Sequence, residues 1–565
     1  MKTSLFAIAL AVGVSTALPS IAQVQGLAGS YLAARQAGID SDYSAAADYY
    51  VRALARDASN PDLMENAING LIGIGRFDRS LPIARRLSGV APDSQVAAQV
   101  LIAHGMKEGN FDQVIEDLSS GLTVGPLVDG LATAWAQVGA GNMSAALSEF
   151  DTISTRQGLG AFGTYHKGLA LATVGDFEGA DALFSGENGA QLQQTRRGVL
   201  AHAQILSQLE RNAEAVEAIR AAFVPGADPE MESLVMRLEA GETLEFSIVS
   251  NAVDGVAEVF HSVASALNGE ASDGFTLLYA RTADYLRPGD TGTILLIADL
   301  LEGLDQYELA TKAYDQVSRD DPSYHAAELG RAESLRRSGN TDAAIEALQQ
   351  LAESHGQIAT VHQTLGDTLR RLERYDEASQ AYDRAIALHE DPERRHWILY
   401  FARGITHERE DRWPLAEADF RLALELSPDQ PQVLNYLGYS LVELRTNLDE
   451  ALDLIQRAVE ARPDDGYITD SLGWVLYRLG RYEEAVGHME RAAELTPVDP
   501  IINDHLGDVY WAVGRELEAR FQWRRALSFD PEPDELIRIR RKLEVGLDVV
   551  LEEEGAEPLH VAKDG

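Results

Sequence analysis

Nine side chains near the carboxyl end of the chain have types and a spacing that suit the binding of a peptide. They are aromatic, acidic or amide residues, namely Asn435, Tyr439, Tyr467, Asp470, Trp474, Tyr477, Asp504, Asp508 and Trp511. Aromatic rings supply a large contact area at low entropic cost, and an amide can pair with a peptide backbone. The carboxylates disfavour a carboxylate ligand and favour neutral, apolar or basic segments. Some of the rings, Tyr477 and Trp511 especially, could instead pack against a neighbouring helix.

No residue pattern in the sequence indicates catalysis or a bound metal. The 13 histidines are scattered, and neither His355 with His362 nor His389 with His396 is accompanied by a cysteine or an H-E-x-x-H motif. The sequence also lacks a nucleophile elbow, a phosphate-binding loop and a dinucleotide fingerprint. We therefore predict a protein that is not an enzyme and that uses no cofactor or metal.

Most of the nine candidates lie in a stretch that repeats itself every 34 residues. Gly473 recurs as Gly507 at this spacing, and Ala485 recurs as Ala519. The period is the signature of tetratricopeptide (TPR) repeats, each of which is a hairpin of two helices. We predict an all-α TPR superhelical solenoid of about 13 to 14 hairpins in two arms. In such a solenoid, the first helix of each hairpin lines a concave binding face.

The quality of the repeat divides the chain into predicted segments. Residues 23–224 form a degenerate amino-terminal arm, and residues 256–531 form the carboxyl-terminal array. Between them, residues 225–255 are punctuated by proline and glycine and are predicted to be a joint between the arms. Inside the joint, residues 244–249 could be a strand-like connector or the start of a helix.

The end of the array is predicted to be covered by one helix. Residues 532–551 carry apolar side chains at helical spacing, including Ile539, and a polar face that includes Lys542. A repeat array exposes an apolar end unless a polar-faced segment covers it, so we predict that these residues form a capping helix. Residues 552–565 are acidic and are predicted to be a disordered tail.

The amino terminus indicates export. Residues 1–22 have a basic Lys2, an apolar run and small residues before a cleavage point at Ala22, as in a secretory signal peptide. An apolar first helix and an uncleaved anchor are the alternatives. The chain has no cysteine, which removes both disulfides and a lipidated cysteine after the signal. We predict a periplasmic protein that is not inserted in a membrane after cleavage.

The charge of the chain narrows the class of partner. Acidic residues outnumber basic ones 89 to 48, which gives a formal net charge of -41. Such a surface repels phosphate backbones and anionic lipid headgroups, so binding to nucleic acid or to a membrane surface is disfavoured. A solvated acidic surface and a preference for basic partner segments are the two interpretations that remain.

Three stretches of the array resemble a known family. They are N-Y-L-G-Y-S-L-V-E (435–443), D-S-L-G-W-V-L-Y-R-L-G-R-Y-E-E-A (470–485) and D-H-L-G-D-V-Y-W-A-V-G-R-E-L-E-A (504–519). They are similar to exported bacterial TPR proteins, a family that includes the lipoprotein partner of a periplasmic carboxyl-terminal processing protease. The resemblance implies a long helical adaptor that docks the protease and brings it substrates, often cell-wall hydrolases. This sequence departs from that partner because it lacks the lipidated cysteine.

Together these observations predict a non-catalytic scaffold or adaptor in the cell envelope. Partner proteins or peptides, among them a carboxyl-terminal processing protease and its substrates, would bind in the concave groove. Two alternatives remain open. The chain could be a soluble binding protein for cell-wall fragments that uses the same aromatic residues as sugar platforms, or it could be purely architectural.

Overall fold

The helices of this chain form because small and apolar residues recur with the spacing of one helical face, between turns rich in glycine and polar residues. The computed structural model describes residues 27–186, 192, 195–223, 228–389, 391–556 and 559. These residues contain 31 α-helices and no β-strand. The predicted all-α TPR solenoid is therefore confirmed. The predicted signal peptide, residues 1–22, lies outside the described residues.

The chain divides into two compact units, unit 1 (Met1–Ala347) and unit 2 (Leu348–Gly565). The helices of unit 1 are α1 (Leu27–Ile39), α2 (Tyr43–Leu54), α3 (Pro61–Gly73), α4 (Phe77–Val90), α5 (Gln95–Lys107), α6 (Phe111–Ser119), α7 (Pro126–Gly139), α8 (Met143–Ser154), α9 (Gly160–Thr173), α10 (Phe177–Phe184), α11 (Arg196–Gln208), α12 (Asn212–Ala222), α13 (Pro229–Glu239), α14 (Ala252–Leu267), α15 (Asp273–Leu286), α16 (Thr291–Gly303), α17 (Tyr307–Tyr314) and α18 (Tyr324–Arg337). Helix α19 (Thr341–Ser354) crosses the boundary.

In unit 2, the first and second helices of successive hairpins alternate along the chain. They are α20 (Ala359–Arg371), α21 (Tyr375–Ala387), α22 (Trp397–Arg409), α23 (Trp413–Leu426), α24 (Pro431–Glu443), α25 (Leu448–Ala461), α26 (Gly466–Arg478), α27 (Tyr482–Leu495), α28 (Pro500–Ala512), α29 (Glu516–Leu527), α30 (Pro533–Val545) and α31 (Leu547–Glu553). A 3₁₀ turn, Arg394–His396, precedes α22. We call the side of a unit that is lined by the first helix of each hairpin its first-helix face.

Close contact between the two helices of a hairpin explains the 34-residue period. A Cβ at Gly473 of α26 would lie 2.8 Å from Met489 Cγ of α27. The equivalent atom at Gly507 of α28 would lie 2.4 Å from Trp523 Nε1 of α29. Any larger residue would force these helices apart. The recurring glycines therefore mark the points where paired helices touch, as the repeat predicts.

In unit 1, the chain covers part of its own first-helix face. Helices α14 and α15 pack against α3, α5, α7 and α9, which are the first helices of four earlier hairpins. Gln99 on α5 donates from Nε2 to Thr282 Oγ1 (2.7 Å) and to the Leu278 carbonyl (3.1 Å). The ring of Phe77 stacks on Tyr285 with centroids 3.9 Å apart. Gln99 and Phe77 thus find their partners on α15, within the same unit.

The boundary between the units differs from the predicted joint at residues 225–255. It falls between Ala347 and Leu348, and the described residues of that segment, 228–255, belong to unit 1. Residues 244–249 form neither a helix nor a strand. They run beside α11, where Gln204 Oε1 accepts a hydrogen bond from the backbone of Ser247 (2.9 Å). Proline and glycine end helices there, but the connector stays packed because its apolar residues are buried.

The predicted capping helix, residues 532–551, is two helices rather than one. Helices α30 and α31 meet at Gly546, whose φ of +89° breaks the helical path. A Cβ there would lie 2.6 Å from Trp511 Cζ2, so the glycine also lets this turn approach α28 closely. Helix α31 extends two residues into the predicted disordered tail, residues 552–565. Most of that tail lies outside the described part of the chain.

Candidate functional site

Three successive first helices of unit 2 carry polar residues at equivalent positions. Asp470 on α26 and Asp504 on α28 are 34 residues apart. Asn435 on α24 occupies the same position one repeat earlier, because the turn before α25 holds one extra residue and Asn447 adopts a left-handed conformation there (φ 49°). The repeat therefore sets an amide and two carboxylates in a row along the first-helix face.

An open groove of about 530 Å³ lies along this row, from the end of α22 to the start of α28. Its lining residues are Glu408, Arg409, Asp411, Trp413, Asn435, Tyr436, Tyr439, Ser440, Glu443, Leu444, Tyr467, Asp470, Ser471, Asp499, Ile501 and Ile502. The structure thus brings four of the predicted site residues together: Asn435, Tyr439, Tyr467 and Asp470. Tyr467 is the most accessible of them, with 59% of its surface exposed.

Sequence reasoning missed the part of the groove that comes from helix ends and turns. Glu408, Arg409 and Asp411 end α22 or follow it, and Asp499 precedes α28. The repeat pattern predicts lining residues only inside first helices, and these residues lie at helix ends and in turns. One signal was available, because Asp499 recurs at the repeat spacing from Asp465 and both cap the helix that follows.

The groove is strongly acidic. Its lining carboxylates are Glu408, Asp411, Glu443, Asp470 and Asp499, and Arg409 is the base among the lining residues that the structure describes. Burial, and then the negative charges of Glu443 and Asp470, raise the pKa of Tyr439. A cation entering the groove would therefore be attracted, and an anion repelled.

Two acceptor atoms in the groove have no hydrogen-bond partner among the described residues. Asp470 is only 5% exposed, and its Oδ2 lies 2.9 Å from His505 Nδ1, whereas its Oδ1 is unpaired. The Oδ1 atom of Asn435 is unpaired as well. Buried polar atoms are nearly always hydrogen-bonded, because an unmade bond costs about 1–3 kcal/mol. Two unpaired acceptors thus belong to residues that line one groove.

Trp474 and Tyr477 do not line the groove, and Tyr477 packs inside the array as the alternative for that residue stated. Both are 7% exposed and their rings stack at 4.8 Å, while Trp474 also stacks on His505 at 3.9 Å. The Trp474 Nε1 donates to Glu443 Oε1 at 2.8 Å. These rings belong to the packing between α24, α26 and α28. They hold groove residues in place rather than offering a surface to a partner.

Asp504, Asp508 and Trp511 are occupied by the capping helices. The ammonium of Lys542 on α30 lies 2.7 Å from Asp504 Oδ2 and 2.6 Å from Asp508 Oδ1. Trp511 Nε1 donates to Asp548 of α31 at 3.1 Å. The alternative that Trp511 packs against the end of the array is thus the arrangement observed. None of these three residues lines the groove.

A second group of charged side chains lies in unit 1 and was not singled out in the sequence. Arg197 pairs with Glu258 at 2.7 Å and also with Asp290, and Glu258 accepts a hydrogen bond from Tyr165 at 2.9 Å. Arg197 and Asp290 line a cavity of about 860 Å³. No repeat spacing links these residues, so they could not be predicted from the sequence. Since their charges pair with one another, they hold α11, α14 and α16 together.

The chemistry of the unit 2 groove is that of non-covalent recognition. It offers aromatic surface, carboxylates and an amide, which suit the binding of a peptide. Among the residues described, no group of three or more histidine, aspartate or glutamate side chains is placed to hold a metal ion. None of the helices described is long and apolar enough to span a bilayer.

Comparison with known families supports the repeat assignment. The model of the tetratricopeptide repeat family matches residues 295–357, 364–431, 436–500 and 471–532. The last three of these segments include most of the groove. These matches show tetratricopeptide repeats in those segments of the chain, and the helical hairpins described above share the TPR fold. TPR proteins generally act as scaffolds for interactions between proteins.

The individual relatives are distant. A TPR repeat-containing protein of Pseudomonas aeruginosa is 28% identical over 173 residues, which is 30% of this chain and 29% of that protein. The protein O-mannosyl-transferase TMTC1 of Homo sapiens is 27% identical over 167 residues, which is 30% of this chain and 19% of that protein. The chain thus matches less than a third of either relative. A chain of the APC/C hetero-tetramer Cut9-Hcn1 is 13% identical, with a TM-score of 0.37, covering 91% of this chain and 96% of that one.

Proposed function

We propose that unit 2 binds a segment of a partner protein in its groove, and that the chain works as a non-catalytic scaffold. The observation that supports this most is the pair of unpaired acceptors, Asp470 Oδ1 and Asn435 Oδ1, in a groove that also holds Tyr439 and Tyr467. Peptide backbone and side-chain N–H groups are the donors that such atoms lack. The groove volume lies within the range of about 300–1,000 Å³ that is usual for ligand sites.

A matched pair of exposed aromatic residues tests this proposal. Tyr467 in the groove and Phe521 on α29 are 59% and 61% exposed, and Phe521 does not line the groove. A photo-crosslinking phenylalanine analogue is placed at each position in separate variants. We expect partner adducts from position 467 and none from position 521.

Alanine variants give the quantitative form of the same test. The double substitution Tyr439→Ala and Tyr467→Ala should weaken partner capture, while Phe521→Ala should leave it unchanged. Trp474→Ala is unsuitable, because Trp474 is buried and its loss would disturb folding. Unchanged capture by a double variant of normal helicity would contradict the proposal. Calorimetric titration with cell-wall glycan fragments is the contrast, and saturable glycan binding without peptide binding would favour a different class of ligand.

The proposal extends to the place of action. We propose that the chain is exported, cleaved after Ala22, and acts in the periplasm, on the basis of the signal-like residues 1–22. Amino-terminal sequencing of the protein from periplasmic extract should begin at Gln23. A protein that is retained in the cytoplasm with residues 1–22 intact would contradict this placement.

A carboxyl-terminal processing protease and its substrates are the partners that we propose. The basis is the resemblance of residues 435–443, 470–485 and 504–519 to the exported TPR family described above. The purified chain should bind such a protease and accelerate cleavage of its substrate. Absence of binding between the two purified proteins would remove this partner while leaving the groove itself to be tested separately.

A further inference from the structure

The chain itself shows what the row of polar residues in unit 2 binds. Lys542 on α30 is fully buried, and its ammonium contacts Asp504 Oδ2 at 2.7 Å and both oxygens of Asp508 at 2.6 and 2.7 Å. The same nitrogen lies 5.7 Å from the ring centroid of Trp523. Lysine is almost never fully buried unless its charge is paired in this way. The last position of the row, Asp504, is therefore occupied by a lysine.

The position one repeat earlier has the same carboxylate, but its charged neighbour is His505 and not a lysine. Asp470 lines the groove, is 5% exposed, and has an unpaired Oδ1. His505 takes only the other oxygen. Arg409, the base of the groove, lies 3.7 Å from Glu408, at the opposite end of the lining from the start of α28. Asp470 thus lines an acidic groove, in which a cation would be stabilised, and keeps one carboxylate oxygen unpaired.

The surroundings of Asp470 fit a long basic side chain. Tyr439 and Tyr467 line the same groove, and aromatic rings can pack against the methylene stem of lysine or the guanidinium plane of arginine. Glu443 and Asp499 add negative charge without a cation of their own in the lining. The unpaired Oδ1 of Asn435 can accept a backbone N–H from the same segment.

We propose that the segment bound by unit 2 is basic, and that Asp470 receives the ammonium of a lysine or the guanidinium of an arginine from the partner. The contact repeats, one hairpin earlier, the one that Asp504 makes with Lys542. This inference rests on the proposed binding function and specifies its ligand class. Charge-assisted hydrogen bonds of this kind are about twice as strong as neutral ones, so they would dominate the selectivity.

Four pools of synthetic dodecapeptides test the inference on the full chain. Each pool has lysine, arginine, norleucine or glutamate at a fixed central position, and its other positions are randomised without charged residues. Fluorescence anisotropy gives the Kd of each pool. The lysine and arginine pools should bind at least about tenfold more tightly than the norleucine pool, which matches the length of lysine without its charge. This advantage should shrink as salt is raised.

The isosteric variant Asp470→Asn should remove the advantage of the basic pools, whereas Asp453→Asn should not. Asp453 is a suitable control because its side chain is 72% exposed and lies outside the groove. Helicity measured by circular dichroism checks that both variants fold. The comparison of lysine with norleucine on the unaltered chain needs no variant at all.

The outcomes separate this inference from the function on which it rests. If the norleucine pool binds as tightly as the lysine pool, and Tyr439→Ala with Tyr467→Ala weakens both, the groove binds peptides but the inference is wrong. If no pool binds, or if the tyrosine variants have no effect, the binding function fails and the inference fails with it.

Discussion

The first-helix faces of the two units are used in different ways. In unit 1, helices α14 and α15 cover the face formed by α3, α5, α7 and α9, and residues such as Gln99 find partners inside the chain. In unit 2, the face of α24 and α26 stays open, with unpaired oxygen atoms on Asn435 and Asp470. The same hairpin repeat therefore builds a core in one unit and a groove in the other. The two faces differ in whether helices of the chain itself cover them.

The pKa values of two buried histidines, one in each unit, also differ between the two faces. In unit 1, His166 has neutral neighbours, Trp135 Nε1 at 3.1 Å and Ser262 Oγ at 3.2 Å, and burial lowers its pKa to about 3. In unit 2, burial alone would also lower the pKa of His505, but the negative charge of Asp470 outweighs it and raises that pKa. The pKa of the buried histidine is therefore lowered on the filled face and raised on the open face.

The largest expected loss of stability comes from replacing Lys542, the side chain that contacts Asp504 in unit 2. Lys542→Met removes the buried ammonium that contacts Asp504 and Asp508 and leaves Arg538 beside them, at 3.8 and 3.4 Å, which should cost about 3 kcal/mol of unfolding free energy. Hydrogen exchange in α28 and α29 measures the loss. Arg540→Met, at an exposed position of the same helix, is the matched control. A Lys542→Met protein as stable as the control would mean that this end of unit 2 is not held by charge.

A smaller loss of unfolding free energy should follow from adding a methyl group to the tightly packed, covered face of unit 1. In Gly255→Ala, the new Cβ would lie 2.2 Å from Trp135 Cδ2, so α14 must shift away from α7. Such overpacking costs about 1–3 kcal/mol, measured by urea denaturation. Gly89→Ala in α4 has no atom within 4 Å of the new Cβ and should stabilise the chain by no more than about 1 kcal/mol. Equal stability of the two variants would contradict close packing of α14 on this face.

The pH dependence of the two units should have opposite signs at these histidines. The folded pKa of His166 lies below the unfolded value of about 6.5, so its contribution to stability is present above that pH and is lost as pH falls toward about 3. The folded pKa of His505 lies above the unfolded value. Its contribution is therefore present below about 6.5 and is lost as pH rises through the folded pKa.

Histidine NMR titration of the unaltered chain and of Asp470→Asn checks this assignment. The pKa of His505 should fall in the variant, because the charge that raises it is gone, while that of His166 should not move. A His505 resonance that titrates below its ordinary range in the unaltered chain would show that Asp470 does not hold it protonated.

The smallest expected effect on stability belongs to the open groove itself. Tyr467→Ala should change the unfolding free energy by no more than about 0.5 kcal/mol, because the side chain is 59% exposed. The same variant should weaken partner binding, so affinity and stability separate at this residue. A large loss of stability in chemical denaturation would show that Tyr467 packs inside the unit and does not face a partner.

The fold could be predicted from the sequence because it depends on short-range periodicity. Gly473 and Ala485 recur one repeat later, and each marks a contact between helices that are neighbours in the chain. The packing of α14 and α15 on the first-helix face of unit 1 could not be predicted in the same way. Gln99 and Thr282 meet across 183 residues, and no spacing rule links positions so far apart.

The candidate site was predicted in part for a related reason. Helical periodicity places Asn435, Asp470 and Asp504 on one face, but it does not tell how deeply each is buried or what covers it. Lys542 appears on the polar face of the capping segment in the sequence, yet the structure buries it completely. Trp474 occupies a groove position by spacing and is instead held inside by Glu443. The depth at which a side chain is buried depends on how neighbouring helices pack together, and the repeat pattern does not determine that packing.

Hydrogen exchange of the full chain, with and without the lysine peptide pool, tests the central claim most directly. If the open face of unit 2 is the binding surface, the peptide should slow exchange in α24 and α26 and leave α3, α5, α7 and α9 unchanged. Slower exchange confined to the helices of unit 1, or no change in either unit at a saturating peptide concentration, would contradict the account.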